Sequence, residues 1–290
     1  RRNLGTLGGL IAAGLLMLSP LYRLHSRRAM SDVPAEACML IALAIGLAAW
    51  SKWVAGRGRV RDGLAIILGA GTFVGLAVLS KLNGAIAGMT LAAWTLLGLA
   101  VGRSSPGVKI GGVVAAILSG VVAFAVFSGL NPFLYAHPKP PIRAELQGPA
   151  SSGFLSRVDA VRVHRVEVSK NARRLFPNDA LNTFGDKLSA VAVQGFGRFS
   201  PLGPSRSDST RRFDREQDWG VGLWGPLVLA GLVISLKHGR TDYRLGEVPT
   251  DWTIVLSFLV SLTAVTWFIP LAWDRYYISI QPASILLASA

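Results

Sequence analysis

A carboxylate and two guanidinium groups stand in one short polar stretch between apolar segments. The stretch contains Arg27, Arg28 and Asp32 in the order Arg-Arg-Ala-Met-Ser-Asp. At a helix start these groups could hold a phosphate-bearing ligand, or the carboxylate could orient one of the arginines. The same residues also fit a structural role, in which Asp32 caps a helix and the arginines extend to the membrane interface. The pattern alone favours the structural role.

Two further polar stretches could bind an anion. Lys81 follows an apolar segment and precedes a tight turn, where an ammonium group could neutralise a lipid phosphate or anchor a helix at the interface. Asp274-Arg275-Tyr276-Tyr277 separates two other apolar segments. There Arg275 and Tyr276 could form a phosphate clamp with a stacking surface for a sugar, or an aromatic belt with a local ion pair. The pattern does not decide between these alternatives.

The sequence shows no clear motif for metal binding, disulfide formation, nucleotide binding or hydrolysis. His137 and His164 stand in one polar segment, and a metal site there would need two or three more convergent ligands, so solvated histidines are favoured. Cys38 is the single cysteine, which excludes an intrachain disulfide and a metal site of cysteines alone. No Gly-rich nucleotide-binding loop, hydrolase serine motif or zinc-protease motif is found. Coupling of this chain to ATP is therefore not expected.

The composition indicates a membrane protein. Hydrophobic residues make up 51% of the chain and charged residues 16%, against about 25% charged residues in an ordinary soluble domain. The formal net charge is +14, but the Lys and Arg residues lie between apolar segments. Basic residues in such places follow the orientation rule of membrane insertion and meet anionic lipid headgroups. We therefore expect membrane lipids, and not nucleic acid, as partners of these charges.

The apolar segments predict an all-α transmembrane bundle of about eight spans, the last one truncated. We divide the chain into spans one to five at 1–130, an extracytoplasmic loop subdomain at 131–218, and spans six to eight at 219–290. The chain begins without Met and ends inside an apolar segment, so we expect it to be part of a longer protein. The predicted spans are Leu4–Tyr22, Ala35–Trp50, Gly63–Leu79, Ala85–Val101, Ile110–Leu130, Trp219–Leu236, Trp252–Trp273 and Tyr277 onward.

The Lys and Arg residues also predict the orientation. They are more numerous in one set of alternate connections, which the positive-inside rule places in the cytoplasm. The opposite, extracytoplasmic set contains the loop Arg23–Pro34, the turn at Lys81, the segment Asn131–Asp218 and the stretch Asp274–Tyr277. Because these connections join helix ends on one face, their polar groups are expected to share one site.

The long extracytoplasmic segment has its own predicted structure. Apolar residues at a spacing of three to four predict one amphipathic helix from Val158 to Leu175, with Arg165 interrupting its apolar stripe. A second helix is predicted around Leu181–Val191, capped by Asn178 or Asp179. The Gly-, Pro-, Ser- and Arg-rich residues Phe196–Asp218 are interpreted as a mobile loop.

The polar stretches, taken in order, resemble a known family of membrane enzymes. Ser19–Arg23 with Ser26–Pro34 resembles the outer-loop signature of glycosyltransferases that use lipid-linked sugars. Gly71–Lys81 is similar to that family's Gly-rich helix ending in a Ser/Thr-Lys pair, and Asp274–Tyr277 with Pro282 resembles its Arg-Tyr motif. This is glycosyltransferase family thirty-nine, with the protein O-mannosyltransferases and bacterial aminoarabinose transferases, which has the GT-C fold.

The resemblance implies a mechanism. A sugar on a polyprenyl or dolichyl phosphate is presented at the extracytoplasmic face of the membrane. A hydroxyl of a glycan, lipid or protein acceptor attacks the anomeric carbon with inversion of configuration. Basic residues, sometimes with a divalent metal ion, stabilise the departing lipid phosphate, as preorganised charges do in a site screened from water. A bacterial inner membrane, and a role in the cell envelope, follow from the same resemblance.

The resemblance also assigns roles to residues. Asp32 matches a conserved Asp of the second outer loop, Lys81 the helix-end Lys, and Arg275 with Tyr276 the late motif. Lys81, Arg275 and Tyr276 are thus expected at the lipid phosphate, with the two arginines that precede Asp32. The family's main acidic motif lies before the segment where this chain begins, so Asp32 is expected to support catalysis and the isolated segment to be inactive.

Two alternatives stay open. A membrane transporter or lipid flippase would carry ionisable groups near the middle of its spans, together with broken helices or inverted repeats. The central parts of these spans are nearly free of charge, which counts against that class. An O-antigen ligase or polymerase would share the lipid-sugar chemistry but use arginines of the long loop, such as Arg173 and Arg174.

Overall fold

The described part of the protein is mainly helical. The only strand-like pairing there is one antiparallel bridge between Ala180 and Leu271. The predicted all-α class is therefore confirmed. The computed structural model describes residues 5–19, 21–23, 32–135, 153–203 and 223–290.

Ten helices of seven or more residues are labelled α1 to α10, and shorter helical turns lie between some of them. A π-helical part, Ala65–Ala70, lies inside α3, and α7 continues as a second π-helical part, Val191–Arg198. The helices are α1 (Gly5–Leu18), α2 (Asp32–Val54), α3 (Val60–Ser80), α4 (Ala85–Val101), α5 (Pro106–Leu130), α6 (Phe154–Leu175), α7 (Phe184–Ala190), α8 (Trp224–Leu245), α9 (Thr250–Phe268) and α10 (Gln281–Ala288).

Five of these helices, α2, α3, α4, α5 and α9, are long and apolar enough to cross a membrane. Three predicted spans differ. The first predicted span corresponds to α1, which has 14 residues, and the last corresponds to α10, which has 8 residues. Helix α8 has 22 residues, but basic residues at Lys237, Arg240 and Arg244 occupy its last part, and it is not among the five.

Helix α9 ends earlier than the sequence indicated. The predicted span ran to Trp273, whereas the helix stops at Phe268. Pro270 explains the difference, because proline disfavours helical backbone in the residue before it. The chain then runs extended, and Pro270 accepts a hydrogen bond from Leu181 N at 3.1 Å while Ala272 N donates to the Asp179 carbonyl at 2.9 Å.

Glycines bring α3 into backbone contact with α5. A Cβ on Gly71 would lie 2.7 Å from the Ser119 carbonyl oxygen, and one on Gly75 would lie 2.6 Å from that of Ala123. Only hydrogen fits at these two positions, and small residues at a helix interface let the two backbones approach this closely. This contact fixes the height of the last turn of α3, which ends at Ser80.

Tryptophans close the opposite end of the bundle. Trp50 and Trp53 near the end of α2 are buried together with Trp94 of α4. Their indole nitrogens donate to the carbonyls of Trp94, Val108 and Thr253, at 2.6, 2.6 and 2.9 Å. These bonds lock α2, α4, α5 and α9 together at what we call the Trp53 end; the other end is called the Lys81 end.

The segment between α5 and α8 corrects two expectations. Helix α7 is capped by Thr183, whose hydroxyl accepts from Asp186 N at 3.0 Å, and not by Asn178 or Asp179. The predicted mobile loop is also wrong for its first residues, because Phe199 is 7% exposed and Ser200 is fully buried. Pro204–Asp218 lie outside the described residues.

The π-helical continuation of α7 is fastened to the region before α10. The hydroxyl of Tyr277 donates to the Gln194 side-chain carbonyl at 2.7 Å, and both side chains are buried. The amide of Gln281 donates to the Gly195 and Phe199 carbonyls at 3.2 and 3.3 Å. Polar groups buried in this way specify one arrangement. They hold Asp274–Tyr276 at the Lys81 end of the bundle.

Candidate functional site

The site is built on an ion pair between Asp32 and Lys81. The Lys81 ammonium group donates to the Asp32 carboxylate. Asp32 is the first residue of α2, and Lys81 directly follows the last residue of α3. These two helices are antiparallel neighbours joined at the Trp53 end, so the start of one and the end of the other return to the same level. The side chains are 6% and 16% exposed, respectively.

The surroundings of Lys81 are electropositive. Burial lowers the pKa of the Lys81 ammonium group from its ordinary value to about 8. Repulsion from Arg275 and Arg165 acts in the same direction, while attraction to Asp274 opposes it. The three cations are therefore close enough that each one disfavours the charged form of the others. An anion placed among them would relieve that repulsion.

Aromatic rings face these cations. The Lys81 nitrogen lies 5.6 Å from the centre of the Tyr276 ring. The Arg275 guanidinium carbon lies 4.7 Å from the centre of the nearer Trp273 ring and 5.4 Å from that of Tyr276. Such distances suit cation–π attraction. The Nε of Arg275 is buried and has no hydrogen-bond partner among the described residues, so a donor remains for a ligand.

Trp273 is itself held in place from the long loop. Its indole nitrogen donates to the Asp179 carboxylate at 3.3 Å, and its ring meets Phe176 edge-on at 4.9 Å between ring centres. Both partners lie between α6 and α7. The loop subdomain therefore positions the aromatic surface on which Arg275 stacks.

Arg165 joins the site although sequence reasoning missed it. The sequence interpretation treated it as an interruption of the apolar stripe of α6. Burial lowers the pKa of its guanidinium group, and the nearby Tyr276 acts in the opposite direction. A basic residue in the middle of an apolar helix stripe is the signal that could have identified it.

A groove opens beside Arg165, between α6 and the ends of three spans. Its volume is about 540 Å3. The apolar part of its lining includes Leu82, Phe127, Leu134, Trp267 and Phe268. The basic part consists of Arg162, Arg165, Arg173 and Lys187. The groove thus combines a hydrocarbon-like floor with a positively charged rim.

A buried carboxyl lies one helical turn below Asp32 and was also missed. Glu36 is 3% exposed, and its carboxyl group faces the side chains of Tyr22 and Ser279. Sequence reasoning placed this residue inside an apolar span and gave it no role. The signal was available, since an ionisable residue within a span is expected to be functional or paired.

The structure brings together four of the predicted site residues. Asp32, Lys81, Arg275 and Tyr276 meet at the Lys81 end through the contacts given above. The remaining two, Arg27 and Arg28, lie outside the described residues.

A preformed metal site is not found among the described residues. No group of three or more His, Cys, Asp or Glu side chains converges there. At the site itself, the Asp32 carboxylate is already bound by Lys81. Lys81 and Arg275 are the cations that an anionic ligand at this site would meet. An array of two or three cations beside aromatic rings can hold a phosphate and a sugar ring together.

Comparison of the chain with protein-family models, with curated proteins and with solved structures finds no match. The function must therefore be argued from the site.

Proposed function

We propose that this protein is a membrane glycosyltransferase of the GT-C type. It transfers a sugar from a polyprenyl-phosphate donor to an acceptor hydroxyl on a glycan, lipid or protein. The observation that carries the proposal is the meeting of Lys81, Arg275 and Tyr276 beside Asp32, at one end of a set of apolar helices. The phosphate of a membrane lipid lies at the same depth as this end of the helices, because the lipid's hydrocarbon chain stays in the apolar layer that the helices cross.

The reaction assigns distinct roles to these residues. The acceptor oxygen forms a bond to the anomeric carbon as the bond from that carbon to the phosphate oxygen breaks. The electron pair of the broken bond stays on the phosphate, whose added charge Lys81 and Arg275 balance. The acceptor proton passes to a carboxylate base, and Asp32 supports the reaction by holding Lys81 in place. The ring of Tyr276 offers a surface for the sugar.

The proposal extends to the membrane arrangement. In this proposal the bundle has about eight spans, five of which are the long apolar helices of the described residues. The Lys81 end faces the extracytoplasmic side of a bacterial inner membrane. The excess of Lys and Arg in connections at the Trp53 end supports this orientation.

Transfer of radiolabelled sugar tests the proposal. Membranes that contain the full-length protein are incubated with a panel of polyprenyl-phosphate sugars, and label on lipid, glycan or protein acceptors is counted. Transfer should be lost in Lys81→Ala. It should persist in Lys52→Ala, which breaks the 2.7 Å ion pair with Asp62 at the Trp53 end. Equal transfer by both variants, or none from any donor by the folded protein, would contradict the proposal.

A second candidate function is transport or lipid flipping. The buried carboxyl of Glu36 within span α2 is the observation that favours it. Substrate-dependent uptake into sealed vesicles, lost in Glu36→Gln, would support a transporter. Uptake that is absent while sugar transfer is present would leave the glycosyltransferase as the single candidate.

A further inference from the structure

We propose that the groove beside α6 binds an anionic glycerophospholipid of the surrounding leaflet, with phosphate between Arg165, Arg173 and Lys187 and acyl chains on the apolar floor. This lipid is a resident ligand and not the sugar donor. The inference does not depend on the proposed transfer reaction, because it rests on the groove alone.

The floor of the groove lies at the level of lipid headgroups. Trp267 and Phe268 are the last residues of span α9 and are 64% and 71% exposed. Phe127 belongs to the last turn of span α5, and Leu82 precedes span α4. Aromatic residues at span ends mark the boundary between hydrocarbon and headgroups. The lipid chains therefore reach this floor directly from the bilayer.

Three of the four rim cations have no carboxylate partner among the described residues. Arg165, Arg173 and Lys187 form no ion pair with any described carboxylate, whereas Arg162 is paired with Asp159 at 2.8 Å. Lys187 donates to the Trp267 carbonyl at 2.7 Å, which fixes one cation at the end of a span. Burial lowers the pKa of Lys187, and the neighbouring Arg173 acts in the same direction. An anionic headgroup that extends along the rim would give all three groups a partner.

The spread of the charge favours a glycerophospholipid. Arg165 and Arg173 are eight residues apart on one helix, which corresponds to about 12 Å along its axis. A single phosphate monoester at the Lys81 site would leave the far cation unused. A glycerophospholipid presents a longer headgroup together with two or more chains, which matches a charged rim over a broad apolar floor. Basic pockets between membrane helices recognise such lipids.

The test compares lipids on the purified protein by native mass spectrometry. The probes are phosphatidylglycerol, cardiolipin, phosphatidylcholine, a polyprenyl phosphate and inorganic phosphate. The anionic glycerophospholipids should be retained, and Arg173→Gln should weaken their retention about fivefold. Arg174→Gln is the matched control, since Arg174 is the exposed next residue and does not line the groove. Phosphatidylglycerol with a photoreactive acyl chain should label the peptide that contains Trp267 and Phe268.

Several outcomes would overturn the inference. Equal losses in Arg173→Gln and Arg174→Gln, or equal retention of phosphatidylcholine, would show only general attraction of lipid to a basic surface. Preferential retention of the polyprenyl phosphate would assign the groove to a donor lipid instead. Binding of inorganic phosphate as tight as that of phosphatidylglycerol would show that the apolar floor has no role. The photoreactive probe keeps the test valid if a variant fails to fold.

Discussion

Lys81 is held against Asp32 at the point where α3 ends and α2 begins. The ion pair ties the ends of two spans together and also fixes the ammonium group beside Tyr276 and Arg275. A surface ion pair contributes little to stability, but this pair is largely buried. Removing one partner therefore affects both the fold and the proposed chemistry, and the two effects need separate measurements.

Asp32→Asn should destabilise the protein, because it removes the carboxylate that pairs with the partly buried Lys81. We expect a loss of about 2–3 kcal/mol in the free energy of unfolding, near the lower limit for breaking a buried pair. Resistance to heat in mild detergent, followed by size-exclusion chromatography, measures the change. Asp62→Asn is the control, since it breaks the 2.7 Å pair with Lys52, which is 47% exposed. A loss as large in the control would show that burial does not distinguish the two pairs.

The proposed transfer should fall as the pH rises through about 8, because Lys81 then loses its proton. The stability should change in the opposite direction. The pKa of Lys81 is lower in the folded protein than in the unfolded chain, so between the two values the unfolded chain binds more protons and stability rises with pH. Rates and unfolding curves from pH 7 to 10 measure both.

Lys81→Arg separates this titration from other alkaline effects. A guanidinium group stays charged throughout the range, so the decline in rate should disappear even if the rate itself is lower. A decline that persists unchanged in Lys81→Arg would assign it to a different group.

The ring of Tyr276 should matter more than its hydroxyl. Lys81 and Arg275 both lie over this ring, at 5.6 and 5.4 Å from its centre. Tyr276→Phe keeps the ring and should retain most transfer, whereas Tyr276→Leu should lower kcat/KM about fivefold or more, as expected for loss of a cation–π contact. Equal losses in both variants would show that the hydroxyl group is what acts.

Gly75→Ala should destabilise the packing of α3 on α5. The added Cβ would lie 2.6 Å from the Ala123 carbonyl, and the helices would have to separate by about 1 Å, at a cost of about 1–3 kcal/mol. Gly120→Ala on α5 is the control, because a Cβ there meets nothing within 4 Å. The transition temperature of each variant in detergent measures the difference. A control that is as unstable as Gly75→Ala would contradict the argument.

The grouping of Asp32, Lys81, Arg275 and Tyr276 could be predicted because the number of spans between two connections decides whether they lie on the same face. Each crossing moves the chain from one face to the other, so counting apolar segments is enough to place polar connections on a common face. The bounds of α4 were also predicted correctly, because a tight turn ending at Gly84 and a basic connection delimit an apolar run there. Hydropathy alone was therefore enough to predict this part of the fold.

The rest could not be read from hydropathy. Arg165 lies on α6, outside the five candidate spans, and no parity rule says which way such a helix turns its cationic residue. Phe199 and Ser200 stand among loop-forming residues, yet hydrogen bonds from Gln281 to this segment bury them. Those bonds join residues more than eighty positions apart, which a local pattern does not contain. The end of α9 at Phe268 depended on one proline within an otherwise continuous apolar run.

The π-helical part of α3 sets how the two ends of this helix are rotated relative to each other. Asp62 near the start of α3 pairs with Lys52, and Lys81 at its end pairs with Asp32, so the helix is clasped to α2 at both ends. An α-helix turns by about 100° per residue. A π-helical turn takes up one residue more than an α-helical turn. Deleting a single residue from Ala65–Ala70 would therefore rotate the residue of one ion pair away from its partner on α2, although the span would remain as apolar as before.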